Sequence, residues 1–155
     1  MAVIDETLDN AVRESFKKRG HMMPTLFADA ASGERMVIGA PELAASDMET
    51  KQRARRGVKL MLLSAGVKTY VLATEAWIAE YKAGPDGKLR DLDDYPRPSE
   101  TPDKIEALLI HFVSPAGKAM RIYKILRDGD KIELELFKEA DDECEMKGPL
   151  TELLP

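Results

Sequence analysis

The chain has 155 residues and a mass of 17.3 kDa, which is long enough for one domain to bury a core without disulfides or a structural metal. Hydrophobic residues at 44% and charged residues at 33% exclude a disordered chain. The formal net charge of −5 is matched by segment 139–145, EADDECE, which holds five acids and no base. The rest of the chain is therefore close to neutral, and the acidic run is expected to be a solvated tail.

Cysteine usage and hydropathy predict the compartment. Cys144 is the only cysteine and lies among acids, so no internal disulfide and no activated thiolate are expected. No apolar run approaches the ~18 residues that cross a bilayer. The first ten residues lack the basic and apolar regions of a secretory signal, so a cytoplasmic protein with no membrane contact is expected.

Residues 5–19 predict a first amphipathic helix. Apolar side chains recur at three- to four-residue spacing, acids lie at the start, and bases precede Gly20. Two short β-like runs follow, TLFADA and ERMVIGA, and the glycine-containing loop between them favours a hairpin.

Residues 46–66 predict a second helix, which begins with a capping-box pattern of Ser46 and Glu49 and ends at Gly66. Gly57 costs a helix interior about 1 kcal/mol relative to alanine, so a close approach of the helix to the sheet is expected there. Both helices are expected to cover one face of the sheet. The apolar stripe of this second helix is expected to consist of Met48, Ala54, Val58, Met61, Leu62 and Ala65.

The remaining pattern predicts four more strands. Residues 67–77 are apolar on both faces, which is typical of a central strand covered on each side. Residues 83–103 form a long polar connection containing three prolines from Pro96 to Pro102. A meander then follows, in which the turns SPAG and DG join strands at 104–113, 118–127 and 130–138.

The predicted fold is α+β. It has a mainly antiparallel sheet of about five or six strands and two amphipathic helices, in the order α-β-β-α-β-β-β-β. Residues 1–138 are expected to form the single domain, and residues 139–155 the acidic C-terminal tail.

Patterns that would identify an enzyme are missing from the sequence. It contains no glycine-rich phosphate loop, no HExxH or CxxC, and no GxSxG elbow. Two histidines and one cysteine cannot supply a tetrahedral zinc site. No cofactor and no metal are therefore predicted, no catalytic residue is assigned, and the sequence favours a protein that is not an enzyme.

One candidate site lies where the strand 67–77 ends in Glu75 and Trp77. If this strand pairs with 104–113, Glu75 approaches Glu106, and two close carboxylates can divide acid and base roles between them. His111 lies five residues beyond Glu106, so it falls on the opposite face and cannot pair with it. Three interpretations stay open, of which a structural strand end is favoured over ligand or partner binding, and binding over catalysis.

A second candidate is a basic stripe on the second helix. Lys51, Arg55 and Lys59 repeat every four residues, and Arg56 lies alongside. Such a stripe can bind phosphates, but no aromatic side chains interleave for base stacking, so nucleic acid is not the favoured partner. A solvated face, or one paired with the acidic tail of its own or another copy, is the preferred interpretation.

The third candidate is the connection 83–103. Tyr95 and Arg97 lie on a proline-stiffened extended segment, which loses little conformational freedom when it binds. Connections of this length usually have a function, so these two residues are predicted to contact a ligand or partner.

The middle of the chain also resembles small uncharacterised bacterial and phage proteins. The resemblance covers residues 50–130 and consists of the basic helix, a strand ending Glu75-Ala76-Trp77, a proline- and arginine-containing connection, Glu106-Ala107-Leu108, and Arg127-Asp128-Gly129. It implies no catalytic residue, and it favours an accessory protein of a phage or mobile element.

The expected function is therefore that of a non-enzymatic binding or assembly protein that acts through protein–protein contacts as a small homo-oligomer. The partner would be another protein or a second copy of the chain, most simply in a dimer. One alternative is a ligand-binding protein or hydrolase with a cleft at Glu75 and Trp77 beneath the 83–103 connection. The other is phosphate binding by the helix stripe.

Overall fold

The computed structural model describes residues 3–78 and 104–140, and these form two helices and a six-stranded sheet. The helices are α1 (Glu6–Arg19) and α2 (Met48–Ser64), and a short 3-10 turn occupies Pro41–Ala44. The strands are β1 (Thr25–Asp29), β2 (Arg35–Gly39), β3 (Tyr70–Ile78), β4 (Ile105–Ser114), β5 (Gly117–Asp128) and β6 (Lys131–Ala140). The predicted α+β class and element order are confirmed.

All strand pairs are antiparallel, and the spatial order is β2-β1-β3-β4-β5-β6. The two expected hairpin regions are present, since β1 pairs with β2 and the last three strands form a meander. β3 lies between β1 and β4, as its apolar character on both faces predicts. β6 continues to Ala140, so the acidic run begins inside the sheet, where Glu139 pairs with Arg121.

The helices cover opposite faces of the sheet, so the expectation that both cover one face was wrong. Neighbouring residues of β3 point to opposite faces, and Val71 packs with α1 whereas Leu72 packs with α2. We call the two sides the α1 face and the α2 face. The α1 core consists of Leu8, Val12, Phe16, Met22, Phe27, Val71, Ala73, Leu108, Ile110, Phe112, Ala119, Tyr123 and Ile125. The α2 core consists of Leu26, Ala28, Ala40, Leu43, Val58, Leu62, Val67, Tyr70, Leu72 and Val113.

The start of α2 also differs from the prediction. Asp47, rather than Ser46, is the N-cap, and its carboxylate accepts a hydrogen bond from the Thr50 backbone N–H at 2.9 Å. An aspartate adds a charge at the positive end of the helix dipole, which a serine cannot do.

The predicted end of α2 at Gly66 is confirmed in detail. Gly66 has φ 68°, its N–H bonds to the Leu63 carbonyl, and the Val67 N–H bonds to the Leu62 carbonyl. This is a Schellman motif, in which glycine supplies the left-handed residue. A side chain at Gly66 would also meet the Ala31 Cβ at 2.9 Å.

Gly57 does not mark a helix–sheet contact, contrary to the expectation. It is exposed, and a Cβ built on it would meet no atom within 4 Å. The predicted apolar stripe of α2 is also partly wrong. Val58 and Leu62 are buried as expected, but Met48 and Met61 are exposed to solvent.

Candidate functional site

The predicted residues Glu75, Trp77 and Glu106 all lie on the α1 face at one end of β3 and β4. Trp77 is directly opposite Glu106, and Glu75 is opposite Leu108, so the two carboxylates are diagonal neighbours. The antiparallel pairing on which the prediction depended is present. His111 lies on the α2 face, as its odd spacing from Glu106 requires.

Arg127, near the end of β5, lies between the two carboxylates. Its guanidinium donates to both carboxylate oxygens of Glu106, at 2.7–3.2 Å, and to the Gly20 carbonyl at 3.0 Å. It also approaches the Glu75 carboxylate at 4.0 Å. The hydrogen bonds to Glu106 raise the pKa of Arg127 above its usual value. A fixed cation therefore already lies between the two carboxylates that were predicted to divide acid and base roles.

Glu75 also contacts the segment that joins α1 to β1. Its carboxylate accepts a hydrogen bond from the Met22 backbone N–H, and its own N–H donates to the Met22 carbonyl at 3.2 Å. The Nδ1 atom of His21 lies 3.7 Å from the same carboxylate. Glu75 thus fastens the exit of α1 to the centre of the sheet.

Trp77 lies on the same α1 face, two residues beyond Glu75 and near the end of β3. Its side chain is 45% exposed, and the Lys104 ammonium lies 4.8 Å from the ring centroid in a cation–π contact. The indole is therefore partly accessible and next to a charge, which makes its fluorescence a local reporter of this end of the sheet.

Sequence reasoning missed a polar network at the other end of α1. Asp9 is completely buried, and both of its oxygens accept from the Tyr123 hydroxyl at 2.9–3.0 Å. Arg13 bonds to Asp9 at 2.8 Å and lies over the Tyr123 ring at 5.6 Å. Burial, together with the hydrogen bond to Asp9, raises the pKa of Tyr123. The available signal was that Asp9 falls within the apolar stripe of its helix, beside Leu8 and Val12.

Arg121 ties this network to the surface. It makes a two-pronged ion pair with Glu6 at 2.6–2.9 Å, bonds to Glu139 at 3.1 Å, and lies 3.4 Å from Asp9. The hydrogen bond to Glu6 is the main cause that raises the pKa of Arg121, and the same bond lowers the pKa of Glu6. Because Asp9 has no exposed surface, this network stabilises the α1–β5 contact rather than offering a site for a substrate.

The basic stripe on α2 is divided by the helix geometry. Lys51 and Arg55 are half-buried, on the side of the helix near Val58, whereas Arg56 and Lys59 are exposed. Arg53 is also exposed and makes an ion pair with Glu49 at 3.2 Å, four residues earlier. The outward cations of α2 are therefore Arg53, Arg56 and Lys59. Only Arg56 and Lys59 of these belong to the predicted phosphate-binding stripe.

Large apolar side chains accompany these cations on the outside of α2. Leu60 is 65% exposed, Leu63 50% and Met61 44%, and Met48 is exposed near the start of the helix. Only Val58 and Leu62 of this helix are buried. We call the surface formed by Arg53, Arg56, Lys59, Leu60, Met61 and Leu63 the α2 outer surface.

Comparison with known proteins gives no assignment. No family model, curated protein or solved structure matches the chain. The resemblance to small bacterial and phage proteins thus stays a prediction. Tyr95, Arg97 and the rest of the 83–103 connection lie outside the described residues, so their predicted contacts stay predictions as well.

Within residues 3–78 and 104–140, no group of three or more potential metal-ligating side chains comes together. Neither described helix has the length and apolar character that crossing a bilayer requires.

The buried His111, on the α2 face, gives the stability of the fold a testable pH dependence. Burial lowers its pKa below the ordinary value near 6.5, and its Nδ1 has no hydrogen-bond partner in the described part of the chain. As the pH falls below about 6.5, the unfolded chain binds a proton that the folded chain resists, so the free energy of unfolding decreases. We expect His111→Met to remove this decrease, measured by urea unfolding between about pH 7.5 and pH 5.5.

The matched control for this experiment is Met120→Leu, because Met120 lies directly opposite His111 on β5 and carries no ionisable group. It should keep the pH dependence of the wild type. An identical slope in the His111→Met variant would show that other groups cause the acid sensitivity.

Proposed function

We propose that this chain is a non-enzymatic binding and assembly protein that works through protein–protein contacts, with the α2 outer surface as its contact site. The observation that carries the proposal is the composition of that surface. Three large apolar side chains and three cations lie exposed on one short stretch of helix. Leu60 and Leu63 are three residues apart and therefore neighbours on the helix surface. Neighbouring exposed apolar side chains that are rimmed by charge are typical of protein-binding surfaces.

The chemistry of the surface indicates the kind of partner. Leu60, Met61 and Leu63 would be covered by apolar side chains, and Arg53, Arg56 and Lys59 would meet carboxylates. A second copy of α2 packed by two-fold symmetry would bring two sets of these cations into one interface, and the α2 outer surface supplies no carboxylate to pair with them. The proposed partner is therefore an acidic, amphipathic protein segment.

The polar contacts at Glu75 and Glu106 support a non-enzymatic function. A pair that divides acid and base roles requires one carboxyl group to hold a proton, and such a group needs a site without a fixed counter-charge. Arg127 bonds to Glu106 and lies close to Glu75, and the Met22 backbone occupies a Glu75 oxygen. These contacts favour the structural interpretation of this strand end.

A designed peptide tests the proposal. The probe is a fluorescein-labelled acidic amphipathic peptide of about four helical turns, with leucines on one face and glutamates elsewhere. We expect the full chain to bind it, and Leu60→Ser/Leu63→Ser to weaken binding at least about tenfold, as followed by fluorescence anisotropy. The double substitution leaves the buried Val58 and Leu62 in place, so circular dichroism should show an unchanged fold.

Two controls make the result specific. A peptide with lysine in place of every glutamate should not bind, and Val37→Ser, which alters an exposed apolar side chain on β2, should leave the affinity unchanged. Equal binding of both peptides, or no loss in the Leu60/Leu63 variant, would contradict the proposal. Light scattering that shows a dimer sensitive to the same variant would replace the acidic partner with a second copy of the chain.

A further inference from the structure

The last described residue of β6, Ala140, has its side chain on the α2 face. Ala140 is opposite Met120, Met120 is opposite His111, and His111 is opposite Leu72, so these four residues form one row across the sheet. Directly opposed residues share a face. Leu72 packs beneath α2 in the same core as Leu62. The row spans three strand spacings, about 14 Å, from the end of β6 to the strand under α2.

The sequence beyond Ala140 complements the α2 outer surface. It begins with Asp141, Asp142, Glu143 and Glu145, and it continues with Met146, Leu150, Leu153 and Leu154. The acidic part matches the exposed Arg53, Arg56 and Lys59, and the apolar part matches Leu60, Met61 and Leu63. The tail therefore has the chemistry that the proposed partner must have.

The length of the tail is sufficient for this contact. Residues 141–155 comprise 15 residues, which span up to about 50 Å when extended, more than the about 14 Å from the end of β6 to the strand beneath α2. A segment tethered this closely acts at an effective concentration in the millimolar range, well above that of a free partner.

We propose that residues 141–155 fold back over the α2 face and bind the α2 outer surface of their own chain. The inference rests on the proposed function, because it makes the tail a competitive inhibitor of that site. A partner must displace the tail before it can bind. The strength of the tail contact, which depends on charge and on salt concentration, therefore sets the partner concentration that binding requires.

A second basic surface provides the competing location. A groove of about 790 Å³ between α1 and β2 is lined by Lys17, Lys18, Arg19 and Arg35. It opens on the α1 face beside β2, five strand spacings from β6, whereas β3, the strand beneath α2, is three spacings from β6. The geometry therefore favours α2 over this groove.

Cys144, the only cysteine, allows a direct test in the full chain. A nitroxide attached to Cys144 should broaden the NMR amide signals of nearby residues in the ¹⁵N-labelled protein. We expect at least a twofold loss of intensity from Arg53 to Leu63 and no loss from Glu14 to Lys18 on α1. Undiminished α2 signals, or broadening confined to the α1–β2 groove, would overturn the inference.

An isotope mixture separates contact within a chain from contact between copies. Spin-labelled protein without ¹⁵N is mixed with ¹⁵N-labelled Cys144→Ser protein, so any broadening must come from another molecule. The inference predicts no broadening in this mixture. Broadening of α2 in the mixture at the strength seen in the single sample would assign the tail to a second copy and overturn the intrachain contact.

Charge reversal tests whether the contact is specific. Arg56→Glu/Lys59→Glu should abolish the broadening, and combining it with Glu143→Lys/Glu145→Lys should restore it. The matched control is Lys17→Glu/Lys18→Glu, which reverses two exposed lysines of α1 and should change nothing. Loss of broadening in the control and no rescue by the combined variant would contradict a contact with α2.

The acidic probe peptide distinguishes failure of this inference from failure of the proposed function. If the tail competes, the full-length Asp141→Lys/Asp142→Lys variant should bind the peptide at least about tenfold more tightly than the wild type. Equal peptide affinities together with undiminished α2 signals would overturn the tail contact and leave the proposed function standing. Broadened α2 signals without peptide binding by the tail variant would overturn the proposed function and leave the tail contact standing.

Discussion

Replacing Asp9 by alanine is expected to lower the free energy of unfolding by about 3 kcal/mol, as measured by urea unfolding followed by circular dichroism. Asp9 has no exposed surface, and its loss removes the acceptor of the Tyr123 hydroxyl and a partner of Arg13 and Arg121. Breaking a buried ion pair from one side usually costs about 3–5 kcal/mol. We expect the lower end, because Arg121 keeps Glu6 and Arg13 is one-third exposed to water.

Three variants identify the cause of this loss. Asp9→Asn keeps an acceptor for Tyr123 but removes the charge, so its effect should be intermediate. Tyr123→Phe leaves Asp9 with its arginines and should cost only about 1 kcal/mol. Asp9→Leu/Tyr123→Phe removes both buried polar groups, so it should cost less than Asp9→Ala alone. A loss below about 1 kcal/mol for Asp9→Ala would show that the network contributes little to the α1–β5 contact.

The elements of the fold were predictable because their signals are local. Asp128-Gly129 between two β-like runs, the glycine at the end of α2, and the acids and bases at the ends of α1 each act within a few residues. The placement of the two helices was not predicted, although the apolar character of β3 on both faces already required a cover on each side. Two helices and two apolar faces imply one helix for each face.

The site residues were predictable only in part, because their partners are distant in the chain. The pairing of β3 with β4 brings Glu75 near Glu106 and follows from the pattern of the two strands. Arg127 was not predicted to join them, since it is 21 residues from Glu106 and 107 from Gly20. Such long-range contacts depend on the strand order and on which face α1 covers, and neither is encoded by local spacing.

The two faces of the sheet differ in how α1 and α2 are held. Polar networks fasten α1 near both ends, at Asp9 and at the Gly20 carbonyl that Arg127 contacts. By contrast, α2 buries only Val58 and Leu62 and exposes more large apolar side chains than it buries. This asymmetry supports the proposed function, in which the α2 outer surface is the contact site and the α1 face holds the fold together.

Replacing Arg127 by methionine is expected to lower the free energy of unfolding by about 1–2 kcal/mol. The change removes the two-pronged contact with Glu106 and the hydrogen bond to the Gly20 carbonyl, and it leaves Glu75 and Glu106 without their cation. The estimate is modest because the Arg127 side chain is 32% exposed, so water replaces part of what is lost. Because Trp77 lies beside this cluster, we also expect its fluorescence to change at lower urea concentrations than the circular dichroism signal.

The same measurement decides between the structural and the chemical interpretation of the strand end. If Glu75 holds the exit of α1, Glu75→Gln should lose stability, because an amide keeps the acceptor for the Met22 N–H but not the charge beside Arg127. Arg127→Lys keeps the charge without the planar fork and should fall between the wild type and Arg127→Met. Carboxylates reserved for a ligand or a reaction would behave in the opposite way, since removing a charge from a functional site usually leaves stability unchanged or increases it. An undiminished free energy of unfolding in both Glu75→Gln and Glu106→Gln would therefore favour a ligand or catalytic site over the structural interpretation that the geometry supports.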